Sequence, residues 1–313
     1  MQTFDKQTID STGAFLNGEL ERLDPTLHEP LVNFTWSRDI DLREDVSMAD
    51  DASSFSNTNF ASLGGIAGNG KAWAGKRSDT MPGMQVDITK TPNPMTLWGM
   101  ELDWTIVELM AAIQVGRPID AQKLSGLQMK LNMDIDEQVY IGDIGLGVTG
   151  LLNNKNVSRA NAPSGNWGIS TKTKQKLDDI NEVINRGWKE SGYAVCPDSL
   201  LLSPEKFSSL CEPITEAGSE SILEYVSKKC ISNNINGRPL NIKPLKWSAD
   251  AGEGGTSRMM AYTKNPNYVR FPMVPLQRTP VEFRGLYQLT TYYGRLGVVE
   301  FVYPETVAYS DGI

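Results

Sequence analysis

A stripe of apolar residues between positions 120 and 141 constrains the fold of this 313-residue chain more than any other feature. The stripe consists of Leu124, Leu127, Leu131, Ile135 and Val139, at intervals of 3, 4, 4 and 4 residues. This spacing places the side chains on one face of an α-helix, and Asp120 is a suitable N-cap. A helix of about 22 residues would be about 33 Å long. Because that is long for a globular domain, we expect it to be a spine on which other elements pack.

The region before this helix contains a glycine-rich segment and another predicted helix. Residues 61–100 hold seven glycines and three prolines, together with Trp73 and Trp98. These backbone breakers argue against a regular core element, and the aromatic side chains argue against a solvated linker. We therefore expect the segment to pack against another surface. Apolar residues at spacings of three and four then predict an amphipathic helix from Leu97 to Ile113.

Shorter units follow Gly150. The pattern predicts a helix at about 172–186 that ends at Gly187, a strand at 200–202 that runs into Ser203-Pro204, and a helix that begins after Ser219. From Arg270 onward, β-branched and aromatic residues dominate, and the run Val298–Tyr303 is typical of a strand. The fold class is therefore predicted to be α+β.

The net charge of −8 is concentrated at the N-terminal end of the chain. Residues 1–60 contain 4 basic and 12 acidic side chains, while the other 253 residues contain 26 of each. We interpret residues 1–60 as a polar arm with one short helix. An electroneutral body argues against a dedicated nucleic-acid binder, for which a basic face is expected.

Cysteine usage and hydropathy indicate a reduced protein without membrane spans. The spacing of Cys196, Cys211 and Cys230 matches neither a disulfide framework nor a metal knuckle, so we expect reduced and mostly buried thiols. No stretch approaches the ~18 consecutive apolar residues of a membrane span, and the first residues lack the pattern of a signal peptide. We expect a soluble protein that is not exported and does not bind a membrane.

Two glycine motifs suggest nucleotide binding but fail in their context. Residues 70–76 fit the GxxxxGK spacing of a phosphate-binding loop, yet Arg77 stands where a Ser or Thr is needed for Mg²⁺. Residues 145–150 match GxGxxG, but they follow a helix, whereas a dinucleotide fingerprint follows a strand. We interpret the second motif as a turn that leaves the spine helix, and we predict no cofactor.

Catalytic groups are also scarce. The single histidine, His28, lies in the acidic arm, and no Ser-His-Asp triad can be assembled without it. Asp134, Asp136 and Glu137 could serve as paired carboxylates or metal ligands, although a solvated helix face is the favoured interpretation because adjacent helical residues point about 100° apart. The sequence therefore predicts no catalytic or metal site, and a soluble α+β enzyme that uses these carboxylates is the least favoured hypothesis.

An ordered set of motifs resembles the major capsid proteins of tailed bacteriophages, which share the Hong Kong 97-type capsid fold with encapsulin shell proteins. The motifs are Arg117-Pro-Ile-Asp-Ala-Gln-Lys123, Asp136-Glu-Gln-Val-Tyr-Ile-Gly142, Gly145-Leu-Gly147-Val-Thr-Gly150-Leu-Leu-Asn153, Ser221-Ile-Leu-Glu-Tyr225 and Arg270-Phe-Pro-Met-Val-Pro275. The resemblance covers residues from about 100 to 310, and the order of the motifs carries more weight than any one of them.

The resemblance implies a division of the chain into capsid domains. Residues 1–50 would form the N-arm, 51–97 the extended E-loop, 98–159 and 271–313 the peripheral domain, and 160–270 the axial domain. The E-loop would lie across a neighbouring subunit, because it contains Trp73, Arg77 and several methionines, and interfaces are enriched in aromatic residues, Met and Arg. The candidate intersubunit contacts are Lys71, Trp73, Lys76 and Arg77 in the loop and Asp39, Asp41, Glu44 and Asp45 in the arm.

The implied function is that of a non-enzymatic major capsid subunit that assembles from hexamers and pentamers into an icosahedral shell around double-stranded DNA. Separate scaffolding, portal and decoration proteins would be further partners, and the DNA would be contacted weakly. The expected location is the virion capsid, with the host cytoplasm as the place of assembly. An encapsulin-type shell that packages a cargo enzyme is the alternative, since the sequence separates the two poorly.

Overall fold

The computed structural model of the chain describes residues 30–62, 84–115, 119–168, 171–214 and 220–313. The chain divides into two units, Met1–Asn33 and Phe34–Ile313, and every element given below lies in the second. The helices are α1 (Trp36–Asp39), α2 (Ile106–Val115), α3 (Ile119–Tyr140), α4 (Thr173–Glu190), α5 (Pro204–Leu210), α6 (Ile222–Lys229) and α7 (Ile231–Asn236). The strands are β1 (Asp41–Arg43), β2 (Ala52–Ser62), β3 (Met84–Pro94), β4 (Thr96–Thr105), β5 (Ser158–Asn161), β6 (Ser199–Leu202), β7 (Asn241–Pro244), β8 (Arg258–Tyr262), β9 (Val269–Arg278), β10 (Glu282–Arg284), β11 (Tyr287–Leu296), β12 (Glu300–Phe301) and β13 (Ala308–Asp311).

The strands form three sheets. A six-stranded sheet has the order β1-β9-β11-β10, with β12 paired to β9 and β4 paired to β11. A five-stranded sheet has the order β5-β13-β8-β6-β7, and β2 and β3 pair only with each other in the described part of the chain. The last strand, β13, therefore joins a sheet whose other members come from residues 158–262.

The spine helix predicted from the apolar stripe is confirmed as α3, which has 22 residues. Leu127, Ile135 and Val139 of the stripe are buried. The C-terminal half of α3 packs on the six-stranded sheet, in a core that includes Phe271 and Val299. A second core forms where α4 places Ile180, Val183 and Ile184 against the five-stranded sheet. The core beneath the end of α3 also includes Tyr262 and Tyr309 of the five-stranded sheet, and the packing of helices on sheets in both cores agrees with the α+β prediction.

The helix predicted from Leu97 to Ile113 is wrong over its first half. Residues 96–105 form β4, which pairs with β11 from Leu296 at one end to Tyr287 at the other. Trp98, Met100, Leu102 and Trp104 alternate with exposed residues, so the segment also has the period of two that a strand requires. The helix α2 begins only at Ile106. Residues 96–100 of the glycine-rich segment therefore form regular strand, which was not expected, although none of the five is buried.

Three smaller expectations also change. The helix predicted to end at Gly187 continues to Glu190. Of the predicted strand 298–303, only Glu300 and Phe301 pair. The described part of the arm contains a short helix, α1, and residues 52–62 of the supposed arm and loop form β2.

The cysteines are free, as expected, but Cys211 is exposed while Cys196 and Cys230 are buried. Among the described helices, none is long and apolar enough to cross a membrane.

Candidate functional site

The β2–β3 hairpin presents an exposed apolar face. In its register, Phe60 lies opposite Val86 and Ser62 lies opposite Met84. Because opposite residues and alternate residues share a face of a β-ribbon, Phe60, Met84, Val86 and Ile88 lie on the same side. Their exposed fractions are 69%, 69%, 54% and 66%. We call these four residues the apolar hairpin face.

The other side of the hairpin is polar, with Asn59 opposite Asp87 and Asn57 opposite Thr89. Each strand has 11 residues, which gives a ribbon about 36 Å long. An isolated two-stranded hairpin is at best marginally stable in water, and contiguous exposed apolar residues mark interaction sites. The hairpin therefore has the properties of a segment that binds another surface. The alternation in Met84–Ile88 was the available sequence signal, but the neighbouring glycines and prolines obscured it.

The base of the hairpin is attached to the body through one buried carboxylate. Glu300 of β12 accepts hydrogen bonds from Arg43 Nη1 at 3.1 Å and from Arg270 Nε at 2.7 Å. It also accepts a hydrogen bond from the Ser53 hydroxyl in β2. We call Glu300, Arg43, Arg270 and Ser53 the hairpin clamp. A lone glutamate in an apolar run gave no sequence signal for this role, because both arginine partners are distant in sequence.

Most acidic candidates of the arm pair with basic residues of their own chain. Asp39 is fully buried and accepts hydrogen bonds from Arg38 Nε at 2.7 Å and from Tyr140 OH at 2.6 Å. Burial and the adjacent Asp39 carboxylate raise the pKa of Tyr140 far above its ordinary value. Asp41 lies 3.5 Å from Lys264 Nζ. Asp39 therefore stabilises the fold around the end of α3, whereas Asp41 joins β1 to the segment that follows β8.

The remaining candidates of the arm face solvent. Glu44 and Asp45 are exposed. Asp45 lies 2.6 Å from Arg43 Nε, and its hydrogen bond with that guanidinium lowers the pKa of the Asp45 carboxyl. The basic and aromatic candidates, Lys71, Trp73, Lys76 and Arg77, lie outside the described residues, as does the GxxxxGK match.

Two of the three carboxylates near the end of α3, those of Asp134 and Asp136, accept hydrogen bonds that hold the helix to other segments. Asp136 is fully buried, which contradicts the expected solvated face. It accepts hydrogen bonds from Thr35 N at 2.7 Å and Trp36 N at 3.1 Å, and a third from Trp247 Nε1 at 2.7 Å. Asp134 accepts one from Trp98 Nε1 at 2.9 Å, whereas Glu137 is exposed. Within the described ranges, no group of three His, Cys, Asp or Glu could hold a metal ion.

The GxGxxG match lies in a turn after α3, as the sequence predicted. The flanking Gly142 has φ +79°, and a Cβ there would come within 2.5 Å of Val148 O. Beside this turn, a groove of about 470 Å³ is lined by Leu97, Ile144 and Leu146, among others. All three side chains are exposed, so the groove is a second surface with apolar residues in contact with solvent.

Comparisons with known proteins agree on one family. The model of the major capsid protein family matches residues 70–313. The capsid of the Myoviridae phage XM1 aligns with a TM-score of 0.75 and 17% identity, covering 95% of this chain and 98% of that one. A capsid chain of Mycobacterium phage Che8 aligns with a TM-score of 0.56 and 11% identity, covering 93% and 96%.

A virus-like particle from Pyrococcus furiosus aligns with a TM-score of 0.51 and 11% identity, covering 98% of this chain and all (100%) of that one. No curated protein matches the chain. The structural similarities show the Hong Kong 97-type fold, and the family model covers more than half of the sequence. The chain therefore belongs to the major capsid protein family and is a structural subunit of a phage head shell, not an enzyme.

Proposed function

We propose that copies of this chain form hexamers and pentamers that close into an icosahedral shell around double-stranded DNA, and that each copy lays its β2–β3 hairpin on a neighbour. The observation that carries this proposal is the apolar hairpin face, where Phe60, Met84, Val86 and Ile88 are more than half exposed. A shell subunit has an obvious partner for such a face, namely a second copy of itself.

The energy available from this contact suits reversible assembly. Full burial of one large apolar side chain is worth about 1.5–3 kcal/mol. Because the four side chains are 54–69% exposed, burying them would contribute about 4–8 kcal/mol in total, as an upper estimate. Each subunit would both give and receive such a contact, so closure of the shell would rest on many modest contacts acting together.

The proposed division into domains follows the sheets. The hairpin lies within 51–97, the proposed E-loop, and the spine helix lies within 98–159, the first part of the proposed peripheral domain. Three strands of the five-stranded sheet, β6, β7 and β8, lie within the proposed axial domain, 160–270. Since β13 pairs in that sheet, we assign residues 308–311 to the axial domain within this proposal.

Charge would assist the contact between neighbours. Glu44 and Asp45 are the arm candidates that face solvent, and we propose that they meet the basic segment with Lys71, Lys76 and Arg77 on a neighbouring copy. Trp73 would add apolar contact there. Asp39 and Asp41 support this contact only indirectly, because Asp39 is buried and Asp41 is half-buried beside Lys264.

The remaining partners follow from the same proposal. An electroneutral body offers little release of counterions, so contact with packaged DNA would be weak. Scaffolding, portal and decoration functions would come from separate proteins, and assembly would take place in the host cytoplasm. An encapsulin-type shell with a cargo enzyme has less support. The TM-score to the capsid of phage XM1 is 0.75, which is higher than the 0.51 to the virus-like particle from Pyrococcus furiosus.

Purified protein tests the proposal directly. Size-exclusion chromatography and negative-stain microscopy should show closed shells that form above a threshold concentration. Shells isolated from infected cells should protect double-stranded DNA from nuclease. A protein that stays monomeric at every concentration and salt tested would refute the assembly proposal, and shells that enclose only protein would refute the DNA content.

A further inference from the structure

The described hydrogen bonds between the β2–β3 hairpin and the body lie in the half of β2 nearest the body, from the entry to the strand as far as Asn57. Arg43 Nη1 donates to Ser53 Oγ at 3.0 Å and to Ser54 O at 3.1 Å. Asn57 Nδ2 donates to Val302 O at 3.2 Å, and Arg295 holds the entry to β2 by donating to Asp50 O at 2.7 Å. The apolar hairpin face begins beyond these attachments.

We propose that Glu300 is the positioning residue that sets the angle at which the hairpin leaves the six-stranded sheet. Its carboxylate joins side chains from β1, β2 and β9, because it accepts bonds from Arg43, Ser53 and Arg270. Glu300 is 1% exposed. Charge-assisted hydrogen bonds are stronger than neutral ones, and a buried network with all members satisfied favours one arrangement.

The orientation of Arg43 is itself restrained. Its Nε and Nη2 atoms donate to the two carboxylate oxygens of Asp45 at 2.6 Å and 3.1 Å. This leaves Nη1 directed at Glu300, Ser53 and Ser54. The planar guanidinium thus links the arm, the hairpin and β12 in a fixed geometry.

The length of the hairpin makes this angle consequential. The distance along β2 from Ser53 to Ser62 is about 30 Å at 3.3 Å per residue. A rotation of about 10° at Ser53 would move the far end by about 5 Å, and the same rotation about Asn57, ~17 Å from Ser62, would move it by about 3 Å. Both exceed the ~1 Å surface gap that still counts as apolar contact. A loosened clamp would therefore misplace the apolar hairpin face even though the subunit remains folded.

The effect on hairpin angle stands independently, while its consequence for assembly rests on the proposed function. The test uses the full chain with Cys211→Ser and with spin labels at Thr58→Cys and Asn267→Cys, two exposed positions on the hairpin and the body. Electron–electron double resonance measures the distribution of distances in the unassembled subunit. Assembly is followed in unlabelled protein by electron microscopy.

Ser53→Ala removes the hairpin's own bond to Glu300 and leaves both arginines paired. Ser54→Ala is the matched control, because Ser54 enters the network through its backbone oxygen. Glu300→Gln is the second variant, which keeps the volume and removes the charge. We expect the distance distribution to broaden at least twofold in Ser53→Ala and Glu300→Gln, with Ser53→Ala still folded by circular dichroism, and to stay unchanged in Ser54→Ala.

Unchanged distributions in both Ser53→Ala and Glu300→Gln would overturn the role of Glu300. If Glu300→Gln fails to fold, Ser53→Ala still decides the question. Broadened distributions together with a drop in the fraction of closed shells would support both proposals. Broadened distributions with normal shells would support the clamp and refute the proposed role of the hairpin in assembly.

Discussion

Replacing Ile88 by Asp places a charge on the apolar hairpin face without disturbing the subunit core. Ile88 is 66% exposed and lies opposite Thr58 in the hairpin. The adjacent Thr89 lies on the polar side of the same strand and is also exposed. Thr89→Asp is therefore a matched control, because it adds the same charge one residue away on the opposite face.

The magnitude follows from what assembly would bury. The exposed part of Ile88 contributes about 1–2 kcal/mol when covered, since full burial of such a side chain is worth about 1.5–3 kcal/mol. A carboxylate removed from water without a partner costs several kcal/mol more. The loss of about 4 kcal/mol or more per hairpin corresponds to roughly a thousandfold weaker association, at 1.4 kcal/mol for each factor of ten.

Light scattering and negative-stain microscopy over a concentration series measure this loss, and circular dichroism checks that both variants unfold at the wild-type temperature. We expect Ile88→Asp to stay unassembled at concentrations where the wild type and Thr89→Asp form shells. If Ile88→Asp assembles at the same threshold concentration as Thr89→Asp, the apolar hairpin face is not an assembly surface and the reasoning is refuted.

Three further predictions concern the fold. Asp136→Ala should lower the free energy of unfolding in urea by about 3–5 kcal/mol, because it leaves three half-buried N–H donors without their acceptor. The exposed Glu137→Ala should change the free energy of unfolding by less than about 0.5 kcal/mol, and equal effects of the two variants would contradict the structural role assigned to Asp136. Since the bond with Arg43 lowers the pKa of Asp45, this carboxylate stabilises the fold above its unfolded pKa and the contribution is lost as the pH falls through the folded value. Asp45→Asn should therefore cost up to about 1 kcal/mol at pH 7 and nothing well below pH ~4, and a cost that persists in acid would argue against this pairing. With a thiol reagent, Cys211 should react fast and alone, because burial raises the pKa of Cys196 to about 11 and also raises that of Cys230. Two or three fast thiols would contradict the burial of these two cysteines in the core beneath α4.

Local periodicity explains which helices could be predicted. The stripe of α3 repeats every three to four residues over the whole helix, and no other period competes with it. In residues 97–105 two periods coincide, because Trp98, Met100 and Trp104 fit a strand and Leu97, Met100 and Trp104 fit a helix. Pairing with β11, almost 200 residues later in the chain, decides for the strand.

The functional surfaces were predictable only in part. The composition of residues 61–100 indicated a segment that packs against another surface, and the hairpin has an exposed apolar face that fits this expectation. The acidic arm was correctly identified as charged, yet its charges do not all face solvent. Asp39 is buried beside Arg38 and Tyr140, because the segment after residue 34 packs against the end of α3.

The sequence by itself determined the spine helix, the α+β class, the turn after α3 and the family resemblance, because periodicity, turns and short motifs, and the order in which they follow one another, can be recognised without knowing which distant residues meet. Only the tertiary structure decided that β4 is a strand, that Asp136 is a buried tie and that Glu300 holds the base of the hairpin. Glu300 meets Arg43 from 257 positions earlier and Arg270 from 30 positions earlier. A carboxylate is stable in the interior only when such partners reach it, and only the fold brings them to the same place.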